Sequence, residues 1–402
     1  MAQDSVPVVH RRSARAAALR FVLIIGVVSF FADMTYEGSR SITGPYLAVL
    51  GASGAVVGIV AGLGELLGYG LRIVSGRLSD RTGQYWPVTL FGYFIQMPAV
   101  PLLALAGSWQ LAAGLIIVER IGKAMRNPPR DVMLAHASTE IGRGWGFGVH
   151  EALDQSGAVV GPLVAAWVLA SRGQYRPAFA VLLIPAILTL VLLVGARLQY
   201  PRPEDLEATP PDVNVVGLPR AFWIYLAGAV LVAFGFVDFS LVAYHFEKAS
   251  TIPATWIPLF YAIAMGTGGV GSLVFGRLFD RAGIVVLVPL TLLSALFAPL
   301  VFLGGFDLAL LGTALWGMGI GVHESIMAAA VAGMVPANRR ASAYGIFTAG
   351  YGICWFLGSA LLGVLYDISL PALIGVSVAV ELLAIPWFVA VSRQRPRARV
   401  SQ

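Results

Sequence analysis

One stretch of the chain concentrates ionisable groups within otherwise apolar sequence. Glu119, Lys123, Arg126 and Arg130 follow one another at intervals of 4, 3 and 4 residues, with Arg120 beside the first. Residues three and four apart lie on one helical face, so the spacing predicts a single charged stripe. Such a stripe can hold an anionic or polar solute, set the protonation of carboxylates opposite it, or pair with neighbouring acids to fix packing. Asn127-Pro128-Pro129 interrupts it and is expected to kink or end the helix. His150, Glu151 and Asp154 come next, and the two acids, three apart, share a face. If the two segments are antiparallel neighbours, the acids sit level with Lys123 and Arg126. Desolvation makes a carboxylate hold its proton and a nearby cation makes it let go. A proton-carrying group needs that competition.

Smaller constellations repeat the theme. Asp33, Glu37 and Arg40 are spaced 4 and 3, with Tyr36 among them. Asp33 and Glu37 are expected to serve proton access or gating, and Arg40 to be a solvated helix end. Glu65 is expected to face a polar cleft, with Arg72 two turns away. Asp238 echoes Asp33 in the second half of the chain, and His323-Glu324 is a second candidate proton pair, since a neutral histidine titrates near physiological pH. Tyr244, Trp316, Tyr344, Tyr351 and Trp355 are candidates for an aromatic cleft wall. Glu381 is acidic in an apolar run, and the sequence offers no role for it.

The elements that position these groups follow from composition. The chain has 402 residues, 58% of them hydrophobic and only 12% charged, with a mean hydropathy of +0.80. A soluble core cannot absorb that much apolar surface, whereas a bilayer can, through helices of roughly 20 apolar residues. Spans are expected near 17–38, 53–76, 85–106, 110–136, 145–170, 177–197, 220–246, 253–276, 283–304, 307–333, 341–366 and 370–392. Ionisable groups at that depth are costly and are functional candidates by default. The net charge of +6 is scattered among turns, which does not mark a nucleic-acid partner. With the N-terminus placed in the cytoplasm, twenty arginines fall on inner turns and tails against four cationic residues outside, the bias that orients membrane proteins. The lone Cys354 rules out a disulfide framework. A basic start before an apolar run has the look of a signal peptide, but no small-residue cleavage site follows it.

The chain also repeats itself. Gly76-Arg77-Leu78-Ser79-Asp80-Arg81-Thr82-Gly83 returns as Gly276-Arg277-Leu278-Phe279-Asp280-Arg281-Ala282-Gly283, with six of eight residues matching. Arg143 to Gly148 likewise answers Arg340 to Gly345. Residues 17–197 and 220–392 therefore form two six-helix halves. The proline- and acid-rich stretch 198–219 is a cytoplasmic linker, and 1–16 and 393–402 are cytoplasmic tails. The duplicated turn resembles the inter-helix signature of the major facilitator superfamily of transporters, where it joins helices 2 and 3 and, in weaker form, helices 8 and 9. The resemblance implies an all-α membrane protein of twelve transmembrane helices in two pseudo-symmetric halves, working by alternating access. It also implies that Gly76, Asp80, Arg81 and Gly83, echoed by Asp280 and Arg281, form a gating turn, with Asp80 capping a helix of the other half. That turn normally ends in further basic residues, and here Gln84-Tyr85-Trp86 replaces them.

Gly157-Ala158-Val159-Val160-Gly161-Pro162 resembles the antiporter motif of the exporters in that superfamily. Its glycines allow close helix contact and its proline bends the helix, which adds Gly157, Gly161 and Pro162 to the gating set. Helix 4 departs from the drug-exporter pattern, in which an arginine is followed four residues later by glycine, because Arg120 is followed by Ala124. The expected activity is therefore proton-coupled antiport that exports a small organic solute, anionic or zwitterionic. Proton carriers are expected among Asp33, Glu151, Asp154, Glu324, His323 and Asp238. Solute contacts are expected from Arg120, Lys123, Arg126, Glu37, Glu65, Tyr351 and Trp355. No cofactor, metal, catalytic activity or nucleic acid is implied, and the partners are the solute, protons and the lipid of a plasma (inner) membrane that a monomer crosses many times. The competing readings are an uptake symporter or facilitator for organic anions, a lipid-translocating protein, and a non-transporting scaffold or sensor.

Overall fold

The computed structural model describes residues 8–201, 218–335 and 340–394, with the side chains of a few further helical residues left out. Among these residues the regular secondary structure is all helical. The first half comprises α1 (Val8–Val49), α2 (Gly54–Thr82), α3 (Tyr85–Leu102), α4 (Trp109–Ile141), α5 (Arg143–Arg172), α6 (Tyr175–Val181) and α7 (Leu183–Gln199). The second comprises α8 (Arg220–Gly235), α9 (Phe239–Ala249), α10 (Ile257–Ala282), α11 (Leu287–Ala295), α12 (Phe297–Leu303), α13 (Phe306–Met334), α14 (Arg340–Ile368) and α15 (Leu370–Gln394). The pairs α6/α7, α8/α9 and α11/α12 are each one broken rod, so twelve rods stand in two bundles of six. Nine described stretches are long and apolar enough to cross a membrane, and one of them, Ala254–Leu303, spans two rods. Charge keeps α4 out of that set, and α13 contributes only the shorter apolar stretch Phe306–Gly321.

Three boundaries differ from the sequence reading, each for a local reason. The first helix does not end near residue 38 but continues through Gly38 and Gly44-Pro45 to Val49. The small residues there are crossing points, not loop signals: a Cβ on Gly44 would lie 2.0 Å from the Ser240 carbonyl oxygen. The proline pair of α4 does not end its helix, which runs on to Ile141. Pro128 has no N–H for the Ala124 carbonyl, and Ser75 of α2 donates to that oxygen instead, at 3.1 Å. The seventh span is not continuous. It breaks at Phe236 and Val237, and α9 restarts with Asp238 as its cap, accepting the Ser240 N–H at 2.8 Å. Carbonyls freed by the break are taken up by Ser377, which donates to Gly235 at 2.7 Å, and by Trp316, which donates to Val237 at 2.8 Å.

The duplicated turn folds as its glycines require. Gly83 closes α2 with φ +66°, and its N–H reaches the Ser79 carbonyl; a left-handed residue is the usual helix stop, and glycine adopts it without steric cost. The halves touch where α2 meets α14, α1 meets α9 and α5 meets α10. The first of these is a seam of small residues, in which a Cβ on Gly58 would lie 2.2 Å from the Ser359 carbonyl oxygen. Outward faces carry exposed Trp167, Ile184, Leu198, Val270 and Leu273, apolar side chains that suit contact with lipid.

Candidate functional site

The halves meet tightly at one end and part at the other. At the meeting end Tyr244 donates to the Ala52 carbonyl at 3.0 Å, Tyr175 to Glu247 at 2.6 Å, and the N–H groups of Gly54 and Ala55 both donate to the Asp367 carboxylate at 2.8 Å. From this plug a cavity of about 1310 Å³ runs between α1, α2, α4 and α14 toward the arginine-rich end. Arg40 and Arg120 lie at its floor, while Arg77, Asp131, Glu151 and Tyr344 line its wider part.

The floor is a net of ion pairs drawn from α1, α2 and α4. Arg120 meets Glu65 at 2.9 Å and Glu119 at 3.7 Å, and also donates to the Tyr36 hydroxyl. Arg40 lies 3.1 Å from Asp238 and 3.5 Å from Glu65, so it ties α2 to the cap of α9 in the other half. Lys123 stands over the Tyr36 ring at 3.4 Å and pairs with Glu37 at 3.8 Å, and Glu37 accepts a 2.5 Å hydrogen bond from Tyr261. Buried charges are tolerable when each is paired and hydrogen-bonded.

A second cluster is walled off from the cavity. Arg126 is 0% exposed. It donates to Gln96 at 2.5 Å, Tyr93 at 2.7 Å and Asp33 at 3.5 Å, and stacks on the Tyr93 ring at 4.3 Å. Gln96 in turn donates to Glu119 at 2.7 Å, which links this cluster to the floor. One turn on, at the cavity wall, Arg130 pairs with Asp131 at 2.8 Å and donates to Ser29, whose hydroxyl shares a 2.8 Å hydrogen bond with His150.

The structure brings Arg120, Lys123, Glu37, Glu65, Tyr351 and Trp355 together around the cavity, with Gly76 and Glu151 on its wall. Several expectations need correction. Arg126 does not reach the cavity, because Tyr93, Gln96 and Asp33 enclose it. Arg40 is no solvated end, since α1 continues past it and carries it between the halves. Among the described residues the counter-ions of the α4 stripe come from α1, α2 and α4 itself, not from α5. Gly157 and Gly161 hold α5 against α1, where a Cβ on either would lie 2.2 Å from a carbonyl oxygen of Phe30 or Met34, and α1 is what faces the cations. Glu151 is exposed and accepts from Gln155, and one buried oxygen of Asp154 has no hydrogen-bond partner among the described residues. Trp316 and Tyr244 are not cleft wall: the first seals the helix break and the second the plug. Pro162 is buried within α5, while Arg81, Asp280 and Arg281 are exposed. The side chains of Asp80, His323 and Glu324 lie outside the described residues, as does most of the linker 198–219.

Sequence reasoning missed Tyr93 and Gln96, although an amide in an otherwise uncharged helix was a signal worth using. It also missed Asp367, whose partners are backbone N–H groups and leave no pattern in sequence.

Comparison with known proteins adds four observations. The family model for the Major Facilitator Superfamily matches residues 23–359. "Uncharacterized protein Rv2265" of Mycobacterium tuberculosis is 43% identical over 94% of each chain, and "Multidrug resistance protein MdtH" of Edwardsiella ictaluri is 29% identical over 40% of each. A POT family transporter solved in complex with 5-aminolevulinic acid superposes with a TM-score of 0.74 at 14% identity, covering 92% of this chain and 95% of that one; at that identity the likeness is one of fold.

Proposed function

The chain belongs to the Major Facilitator Superfamily of membrane transporters, and on that footing we propose that it is a proton-coupled antiporter exporting a small zwitterionic or anionic organic solute. The observation that carries the reading is the pairing at the floor. Arg120 and Lys123 face the cavity with Glu65 at 2.9 Å and Glu37 at 3.8 Å as their partners. A zwitterion matches both signs: its carboxylate takes the cations, and its ammonium takes the acids in place of a proton. Solute and proton then exclude one another, which is what exchange requires.

Asp33 and Asp154 are the proposed proton carriers beside the cavity. Protonation of Asp33 releases Arg126, and the Gln96–Glu119 link passes that change along α4 to Arg120. The arginine bias supports a cytoplasmic wide end of the cavity, and with it an inward-open conformation and cytoplasmic termini; we further propose a monomer in the inner membrane. Export is supported by the helix 5 motif and by the partial likeness to a multidrug resistance protein.

A second reading rests on the same pairs. A solute with a carboxylate and no ammonium would displace Glu65 and Glu37 from their cations, and the freed acids would take up protons. Solute and proton would then travel together, as in an uptake symporter. Reconstituted protein under an imposed pH gradient separates the two: antiport accumulates solute on the acidic side, symport on the alkaline side. Flux unchanged on collapse of the gradient rejects proton coupling.

A further inference from the structure

Among the described residues lining the cavity, Arg72 and Arg77 are cations without an ion-pair partner, and of the two Arg72 stands beside an aromatic ring. Arg72 of α2 lines the wall, exposed to the cavity, and among the described residues no carboxylate lies within ion-pair distance of it. Arg40, Arg120, Lys123 and Arg130 all have such partners. The Arg72 guanidinium instead sits 5.6 Å from the centre of the Tyr69 ring. Tyr69 is pinned across the halves, because a Cβ on Gly352 of α14 would lie 2.9 Å from its ring. Its edge meets Tyr351 at 5.9 Å; Tyr351 stacks on Phe347 at 5.6 Å and lies 5.7 Å from Trp355. All of these rings line the same cavity.

We propose that Arg72 is the docking cation that receives the carboxylate of the solute before it reaches Arg120 and Lys123 at the floor, and that the Tyr69, Tyr351 and Trp355 rings hold a planar or aromatic body, so the solute class is an aromatic carboxylate. The assignment rests on the cavity being the solute site. An anion that reaches Arg120 must first displace Glu65 and Glu119, whereas among the described residues Arg72 has no carboxylate to displace. A guanidinium offers a carboxylate two parallel N–H donors. Aromatic walls favour an aromatic guest by offset or edge contacts. The two surfaces belong to different halves, Arg72 and Tyr69 to the first and Tyr351 and Trp355 to the second, so the bound solute bridges the parts that must rock.

The test is calorimetric binding to the purified full chain in detergent, with four probes that separate charge from ring: indole-3-propionate, tryptophan, tryptamine and propionate. Indole-3-propionate and tryptophan are expected to bind more tightly than tryptamine and propionate. Arg72→Gln is expected to weaken indole-3-propionate about tenfold, as loss of a charged hydrogen bond implies, and Arg72→Lys to recover part of it. Trp355→Leu is expected to reduce the advantage of indole-3-propionate over propionate, which gives a second readout should one variant fold poorly. Tryptamine binding tighter than indole-3-propionate, or no binding by any probe, overturns the aromatic carboxylate class. Wild-type affinity in Arg72→Gln alongside loss in Arg120→Gln overturns the Arg72 assignment and leaves the cavity reading standing.

Discussion

Arg40 and Asp238 meet at 3.1 Å across the two halves, and the same carboxylate caps α9 through the Ser240 N–H. One side chain thus holds both the closed end of the cavity and the restart of a broken helix. Asp238→Asn keeps a good cap and removes only the charge, whereas Asp238→Ala removes both. Removing one member of a buried pair costs up to about 3–5 kcal/mol, with Glu65 at 3.5 Å cushioning the loss here. Thermal melting in detergent is expected to rank wild type above Asn and Asn above Ala. Equal melting of the two variants would remove the capping role.

Asp367 holds the plug from the opposite side, accepting two backbone N–H groups at the start of α2. Asp367→Ala leaves Ser53 as the cap of α2 but removes the acceptor of two N–H groups, at a cost of about 0.5–2 kcal/mol, and is expected to shift the population toward opening at that end. Cysteines introduced at Val49 and Ser250, on a Cys354→Ser background, report it: bismaleimide cross-linking is expected to fall in the variant, and unchanged yield would count against the latch.

Ser75 completes the hydrogen bonding of α4 where Pro128 cannot. Ser75→Ala leaves the Ala124 carbonyl unsatisfied, which costs about 1–3 kcal/mol. Adding Pro128→Ala restores an N–H in the helix, so the double variant is expected to regain most of the lost melting temperature. Additive losses would contradict the assignment.

Glu381 is 0% exposed, its polar neighbour is the Ser294 hydroxyl, and no cation lies within ion-pair distance among the described residues. A buried carboxylate without a counter-ion is unfavourable. Glu381→Gln is therefore expected to melt at or above the wild-type temperature, and a large loss would show that the carboxylate itself is needed.

Apolar length and the repeated turn were enough to read the architecture in the sequence, because lipid-length runs separated by arginine-bearing turns admit few alternatives. The stripe on α4 was legible as well, since 4-3-4 spacing has one geometric meaning on a helix. Its partners were not. Sequence placed the acids of α5 opposite Lys123 and Arg126, yet pairing depends on which helix sits in between, and Gly157 and Gly161 draw α5 to α1. Arg40 was misread because Gly44-Pro45 resembles a turn until Ser240 is seen packed against it. The break before Asp238 left no proline or glycine run to mark it, and only Trp316 and Ser377, far along the chain, make it affordable.

In the proposed cycle solute and proton exclude one another at the Arg120–Glu65 and Lys123–Glu37 pairs, with Asp33 passing the proton. Everted vesicles carrying the protein, acidified inside and followed by a pH-sensitive dye, test this directly with added tryptophan. Antiport predicts that tryptophan releases protons and restores fluorescence in wild type, and that Asp33→Asn abolishes the response while tryptophan exchange across unenergised vesicles persists. A wild-type response no larger than that of protein-free vesicles, or deeper acidification on adding tryptophan, would contradict it.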